Sequence, residues 1–570
     1  SAVPTIGQGL IRILPRPPRR FVPMMSKRKR PGVAGATHAA AKKSIAAAAE
    51  KLQQAVAFHA SGQLATAQHL YGEVLAIDPT HADALHWLGV IEGQHGNAGV
   101  ALELLSRAVD IKPSDPVAFN DLGTAQRELD LREEALASFD RALALKPDYA
   151  KALSDRGVVL HELGRLEEAR ASLERALAFA PDDVDTLLRS CRVLWELGDA
   201  GGTAGLCLRA LLREESDRTR SAFAELLKGI RFSSDELHLG PQVIRAIAEA
   251  WGRPADLCPA GVSLAMLNAG LRHCVDRVTG RRLTLTELFG PEGADAVCGY
   301  PLLQCLMSNV LLADPGLERF LTDARRAFLL ESERADHRAQ EVSPPVLAFL
   351  CALAQQCFIN EYVFAVDEEE LRTTGGLRDR IATALDSGSP IAASEVALAA
   401  TYYPLSGVPS GASLLGRPWA EPLAGVLKQQ LQEPLQERKA RAEIRSLTAV
   451  DDAISQQVRQ QYEENPYPRW VKCPVSVIPA TVDGYLGGRF PYASFDALGK
   501  ANSDVEILVA GCGTGQHAIE TALLFRGARV LAIDLSGTSL AYAMRKTGEH
   551  GVRDILQRWA GQRMLVISHV

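Results

Sequence analysis

Four prolines, Pro79, Pro113, Pro147 and Pro181, stand 34 residues apart without a slip. Gly62, Gly96, Gly164 and Gly198 keep the same period, with Asp130 in the one missing slot. Ala101, Ala135 and Ala169 form a third row, Ala108, Ala142 and Ala176 a fourth, and Gly89, Gly123 and Gly157 a fifth. Coincident rows at one period require a supersecondary unit stacked on its own copies. Each row has a physical reading. Small residues such as Gly89 and Ala101 belong where the two helices of a unit cross closely. The Gly62 row turns the chain between those helices. The Pro79 row ends the second helix, because proline lacks an N–H and disfavours continuation. Tyr71, Leu105, Phe139 and Leu173 share one large core position.

This pattern resembles tetratricopeptide repeats. Repeats are expected at 48–81, 82–115, 116–149 and 150–183. A degenerate fifth is expected at 184–217, where Cys191 takes the glycine position and Thr203 an alanine position. The resemblance implies an α-solenoid whose concave face binds a protein or peptide.

Residues 1–47 read as a disordered basic tail. The first 43 residues hold ten Lys or Arg and no Asp or Glu, and Pro15, Pro17, Pro18 and Pro23 break any helix there. Lys27 to Arg30 could meet nucleic acid or an acidic partner, but a solvated tail is the expectation. The chain opens on Ser1, so Met24 or Met25 is a candidate start, and an organelle-targeting role stays open. With a net charge of −6 the whole chain is no generic nucleic-acid binder. No apolar run reaches the roughly 20 residues a membrane span needs. The ten cysteines are scattered with no C-x-x-C pair, which points to reduced, buried thiols, no metal site and a cytoplasmic protein.

Residues 218–445 carry no recognisable motif and read as a second α-helical domain. Helices are expected at Ala222–Ile230, Gln242–Trp251, Leu302–Leu312, Leu317–Leu330, Val346–Phe364 and Leu377–Leu385. Val346 to Phe358 is apolar nearly all round and should be a buried central helix opened by Pro344-Pro345. Leu423–Arg445 is charged and Gln-rich, and is expected to be a long exposed helix. The polar trio His273, Asp276 and Arg277 reads as a surface cluster.

The last part, 446–570, carries the chemistry. Ile507 to Ala510 suits a buried parallel strand. Gly511-Cys512-Gly513-Thr514-Gly515 follows at once, a turn whose glycines admit positive φ and close backbone approach. A helix from His517 to Leu524 turns its N-terminus toward that turn, where a carboxylate or phosphate is favoured. Arg529 to Ile533 is a second strand, and it ends on Asp534, 19 residues past Gly515. Doubly wound folds place an acid about 20 residues on, where it accepts from ribose hydroxyls. A second helix is expected at Ser539–His550.

The spacing is G-x-G-x-G, and the stretch resembles the cofactor site of class I S-adenosylmethionine-dependent methyltransferases. The resemblance implies S-adenosylmethionine as cofactor and a Rossmann-like α/β domain. Gly511, Cys512, Gly513, Thr514 and Gly515 would pass under the methionine part. Asp534 would hold the ribose and Leu535 would flank the adenine. Val509 stands where the family often has an acid. The phrase QYEENPYPRW, Gln461 to Trp470, is similar to one found just ahead of the methyltransferase domain in tetratricopeptide-repeat methyltransferases. Tyr462, Asn465, Tyr467 and Trp470 are therefore candidates for a lid over a sulfonium, or for packing the linker onto the domain. Such a domain needs on the order of 100 residues more than follow Asp534. Met564–Ser568 could add one short strand. The tail Leu556–Val570 has no clear pattern, and a frameshift or early stop near residue 555 is the expectation. The catalytic base and the methyl acceptor are unknown. The expected fold class is thus mainly α, with a solenoid, a helical region and part of an α/β domain. Two functions compete: a methyltransferase-family protein whose repeats recruit its acceptor, and a non-catalytic interaction scaffold. A dinucleotide oxidoreductase is disfavoured by the glycine spacing.

Overall fold

The computed structural model describes residues 34–278, 280–291, 293–334, 342–446, 453–464, 469–474, 480–490, 505–525, 528–549 and 565–566. The described residues are mainly helical. The chain divides into two compact units, residues 1–159 and 160–570.

The first unit is a run of antiparallel helices. These are α1 (Ala34–Ala60), α2 (Leu64–Ile77), α3 (Ala82–Gln94), α4 (Ala98–Ile111), α5 (Pro116–Glu128), α6 (Arg132–Leu145) and the start of α7 (Ala150–Glu162). Their bounds follow the period. Gly62 and Gly96 take φ of +75° and +82° between paired helices, and Asp130 takes +63° in the same slot. An aspartate tolerates the left-handed region better than most residues, so the break in the glycine row costs little. The small-residue row is explained by what lies opposite. A Cβ on Gly89 would come within 2.8 Å of Leu105, and one on Gly123 within 2.8 Å of the Phe139 ring. Glycine lets the helices of one repeat close on the large residue of the other. Asp115 opens α5 by accepting from the N–H groups of Val117 and Ala118, with Pro116 in the first turn. One difference from expectation is that α1 begins at Ala34. It starts inside the stretch read as a disordered tail, where the alanine-rich run Ala39 to Ala49 favours helix. Residues 1–33 lie outside the described residues.

The second unit continues with α8 (Leu166–Phe179), α9 (Val184–Glu196) and α10 (Ala200–Arg213). The segment expected as a degenerate fifth repeat forms a helix pair. Helices then follow through the middle region, with the expected segments present and most ends shifted by a few residues, though the helix expected at Leu377–Leu385 begins nine residues earlier, at Glu368. The helix Pro344–Ile359 is capped by Ser343 and buried along almost its whole length. Around it Phe289, Phe320, Phe328 and Phe349 meet with ring centroids 5.8 to 6.4 Å apart. It stops five residues earlier than expected because Glu361 and Tyr362 both take positive φ, 57° each.

The long exposed helix expected at Leu423–Arg445 is not what forms. Helix Glu421–Leu427 passes through a π turn, Lys428–Gln432, into helix Glu433–Glu443. Leu423, Val426, Leu427, Gln430 and Leu431 are buried. The extra residue of the π turn re-aims the side chains. Gln430 is the reason the composition misleads. Its amide nitrogen donates to the carbonyls of Ala354 and Ala400 at 3.1 Å each, and its oxygen accepts from Leu405 N–H at 3.2 Å. A residue that looks solvent-facing ties three core segments together.

The strand Glu506–Ala510 pairs in parallel with Arg529–Ile533, in register Glu506 to Arg529 through Ala510 to Ile533. Helix Gln516–Leu524 makes the crossover and helix Gly537–Glu549 follows. Leu565–Val566 pairs with Arg445–Ser446. The remaining residues of the expected strand and of the tail 556–570 lie outside the described residues. Among the described residues the parallel pairing stops at two strands, short of a Rossmann sheet. The first strand was expected to be buried. Only Val509 is, while Leu508 is 59% exposed, because the helices cover one face of the pair.

Candidate functional site

Two places bring chemistry together. The first lies on the first helices of successive repeats. His86 of α3 reaches Asp121 of α5, Nε2 to Oδ2 at 2.8 Å, and Lys151 of α7 reaches the other oxygen at 3.4 Å. Burial works to raise the Asp121 carboxyl, but the His86 hydrogen bond and the Lys151 charge outweigh it and hold it below the usual range. Beside His86, the Trp87 ring stacks at 4.6 Å and His59 meets it edge-on at 5.4 Å. Polar and aromatic groups thus touch in sequence across the first helices of four repeats.

The second place is the Gly-rich turn. Gly511, Gly513 and Gly515 take φ of +65°, +54° and +84°. A Cβ on Gly511 or Gly513 would meet nothing within 4 Å, so both point at open space. Gly515 is different: a Cβ there would sit 2.4 Å from that of Ala543 and 3.2 Å from its Cα. Two glycines leave room beside the turn, and the third lets the following helix close on it. Asp534 stands at the end of the second strand. Its Oδ2 accepts from Gly513 N–H at 2.7 Å and its Oδ1 from Ser536 N–H at 2.9 Å. Each oxygen keeps a lone pair for another donor. Burial first, and then the Asp534 charge, push the Cys512 thiol up to about 12, so it is neutral at ordinary pH.

Together these residues line a cleft of about 680 Å³. Gly511, Cys512, Gly513, Thr514, Asp534 and Leu535 all line it, while Gly515 does not. The lid candidates part company. Tyr462 lines the cleft. Trp470 is buried instead, its Nε1–H donating to the Thr514 carbonyl at 3.1 Å and its ring meeting Tyr542 edge-on at 6.0 Å. It packs the linker onto the turn. Asn465 and Tyr467 lie outside the described residues.

Sequence reasoning missed two contributors. Arg253, from the middle helical region, lines the cleft and grips Glu520 of helix Gln516–Leu524 with Nε 2.7 and 2.9 Å from its oxygens. Glu463 ties the helix Ala453–Glu464 to the start of helix Gly537–Glu549. It accepts from the N–H groups of Gly537 and Thr538 at 2.9 and 3.2 Å and from the Thr538 hydroxyl. Burial tends to raise this carboxyl, but those hydrogen bonds and Arg441 hold it below its ordinary value. Neither residue carries a local signal, since each partner is far away in sequence. Among the described residues no trio of His, Cys, Asp or Glu could hold a metal ion, and no helix is long and apolar enough to cross a membrane.

Residues 52–116 and 124–188 match family models described as tetratricopeptide repeat. The chain carries tetratricopeptide repeats. Neither match reaches the Gly-rich turn. Among solved structures, the chain is similar to the protein MamA at 24% identity over 28% of this chain and 94% of that one, with a TM-score of 0.26. It is similar to YrrB, described as a tetratricopeptide-repeat protein with an unusual peptide-binding site, at 18% identity over 32% and 95%, TM-score 0.28. It is also similar to pilF of Pseudomonas aeruginosa at 16% identity over 40% and 95%, TM-score 0.31. No curated protein matches the chain.

Proposed function

We propose that this protein is an interaction scaffold whose tetratricopeptide repeats bind a protein or peptide, in a reducing, cytoplasm-like compartment. The observation that carries this is the run of repeats matched over 52–116 and 124–188. Such units stack helix pairs so that their first helices present an extended binding surface. Here those helices hold the His86, Asp121 and Lys151 ladder. The test is peptide display on the full chain, followed by anisotropy on the selected peptides. Lys151→Glu (side chain 60% exposed) and Val117→Glu change the first-helix face without entering the core. Each is expected to weaken binding about tenfold, roughly 1.4 kcal/mol. Glu133→Lys, exposed on the second helix α6, should leave affinity unchanged. Equal losses in all three, or no selected peptide, would overturn the reading.

A second reading is favoured by the open space beside Gly511 and Gly513. In it the cleft holds S-adenosylmethionine, with the turn from Gly511 to Gly515 beneath it. Asp534 accepts from the ribose and Leu535 lies against the adenine. When bound, that cofactor would supply a methyl group to an acceptor brought by the repeats. Calorimetry of the full chain with S-adenosylhomocysteine is expected to give a Kd on the order of 1 μM, about 8 kcal/mol. Asp534→Ala should weaken it at least tenfold. The absence of any heat at high ligand would remove this reading and leave the scaffold intact.

A further inference from the structure

The fifth repeat departs from its predecessors at one crossing. In repeats two and three that crossing is a glycine against a large side chain, Gly89 with Leu105 and Gly123 with Phe139. Counting on by the same period gives Cys191 in the glycine row and Cys207 in the large-residue row. The two sulfurs are 3.2 Å apart, on α9 and α10. The residues are 6% and 3% exposed. A pair of medium side chains fills the space that one large side chain fills elsewhere. Its consequence is to set two thiols in contact at the point of closest helix approach.

We propose that Cys191 and Cys207 form a redox-responsive disulfide across the fifth repeat, with a small hydroperoxide as oxidant. The hydrogen bond between the thiols holds Cys207 below the usual thiol range and raises Cys191, with burial adding to the rise and opposing the fall. The contact is symmetric, so either sulfur can open the reaction once deprotonated. When Cys207 opens it, its sulfur takes the near oxygen of the peroxide. The O–O bond breaks, the alcohol or water leaves, and Cys207 becomes a sulfenic acid. The Cys191 sulfur then attacks that sulfur, the S–O bond breaks and water leaves. Two thiols are oxidised by two electrons and one peroxide is reduced. A groove of about 370 Å³ between α8, α9 and α10, lined by Leu173, Ser190, Val193, Gly202, Gly205 and Leu206, is the route we assign to the peroxide. Ser190 and Leu206 are the chain neighbours of the two cysteines. A reducing compartment would keep the bond transient, which suits a signal better than a staple.

The test uses the full chain, freed of reductant and treated with a small excess of hydrogen peroxide. Remaining thiols are then alkylated and the chain is cut with trypsin. The expected product joins residues 190–192 to residues 193–209, lighter by two hydrogens than the sum, and dithiothreitol removes it. Recovery of both cysteines as alkylated thiols, or of Cys207 as sulfinic acid without the cross-link, overturns the proposal. A Cys207→Ser chain should return Cys191 as a free thiol. Its capture by any other cysteine would overturn the pairing.

Discussion

Replacing Glu370 with alanine should destabilise the middle helical region by roughly 3–5 kcal/mol, because it strands a buried guanidinium. Arg325 is fully buried (0% exposed) and donates to the Ala365 carbonyl at 2.7 Å. Its guanidinium lies 4.2 Å from the Tyr402 ring centroid and 3.6 Å from Glu370. Glu370 does more than balance that charge. It accepts from the Tyr402 hydroxyl at 2.8 Å and from the Asp367 N–H at 3.0 Å, closing a capping box on helix Glu368–Asp386. Native-state hydrogen exchange in helix Pro315–Ser332 would read the loss. The double change Arg325→Met with Glu370→Leu should cost much less than either partner lost alone, since no charge is left unpaired. Costs that simply add would show that the pair is not coupled.

The second large effect belongs to the turn. Gly515→Ala is expected to cost about 2–5 kcal/mol. A left-handed φ of +84° carries roughly 1–2 kcal/mol for an alanine. The close approach of Ala543 adds an overpacking cost of about 1–3 kcal/mol. Exchange of the amides in strand Glu506–Ala510 and helix Gly537–Glu549 should accelerate together. Adding Ala543→Gly should recover the packing share only, because the backbone strain remains. A silent Gly515→Ala would mean that neither the left-handed backbone nor the close approach of Ala543 holds at the turn.

The contrast between these two sites shows which parts of this chain its sequence makes legible. The turn could be read in advance because its conditions are local: three glycines, a strand on either side and an acid at a set distance. The repeats could be read for a similar reason, since the Gly89 and Gly123 rows record a contact made afresh in each unit. Arg325 with Glu370 was invisible, because two charged residues 45 apart look like any solvated pair until the helices are stacked. Gln430 misled for the opposite reason, as a buried amide in a run that reads as surface. Arg253 at the cleft depends on a fold bringing helices together over 267 residues. The exposure of Leu508 was equally unreadable, since an apolar strand carries no mark of how many layers will cover it.

Glu463 caps helix Gly537–Glu549 from 74 positions earlier in the chain. An N-terminus usually finds its acceptor within its own first turn. Here Ser536 accepts from the Ser539 N–H at 3.0 Å in that usual way, Glu463 takes the two N–H groups before it, and the Ser536 hydroxyl donates to the Tyr462 carbonyl at 3.0 Å. The linker helix and helix Gly537–Glu549 therefore hold each other's ends, so fraying of one would open hydrogen bonds of the other. Any boundary drawn between them on sequence alone would leave both halves with open hydrogen bonds.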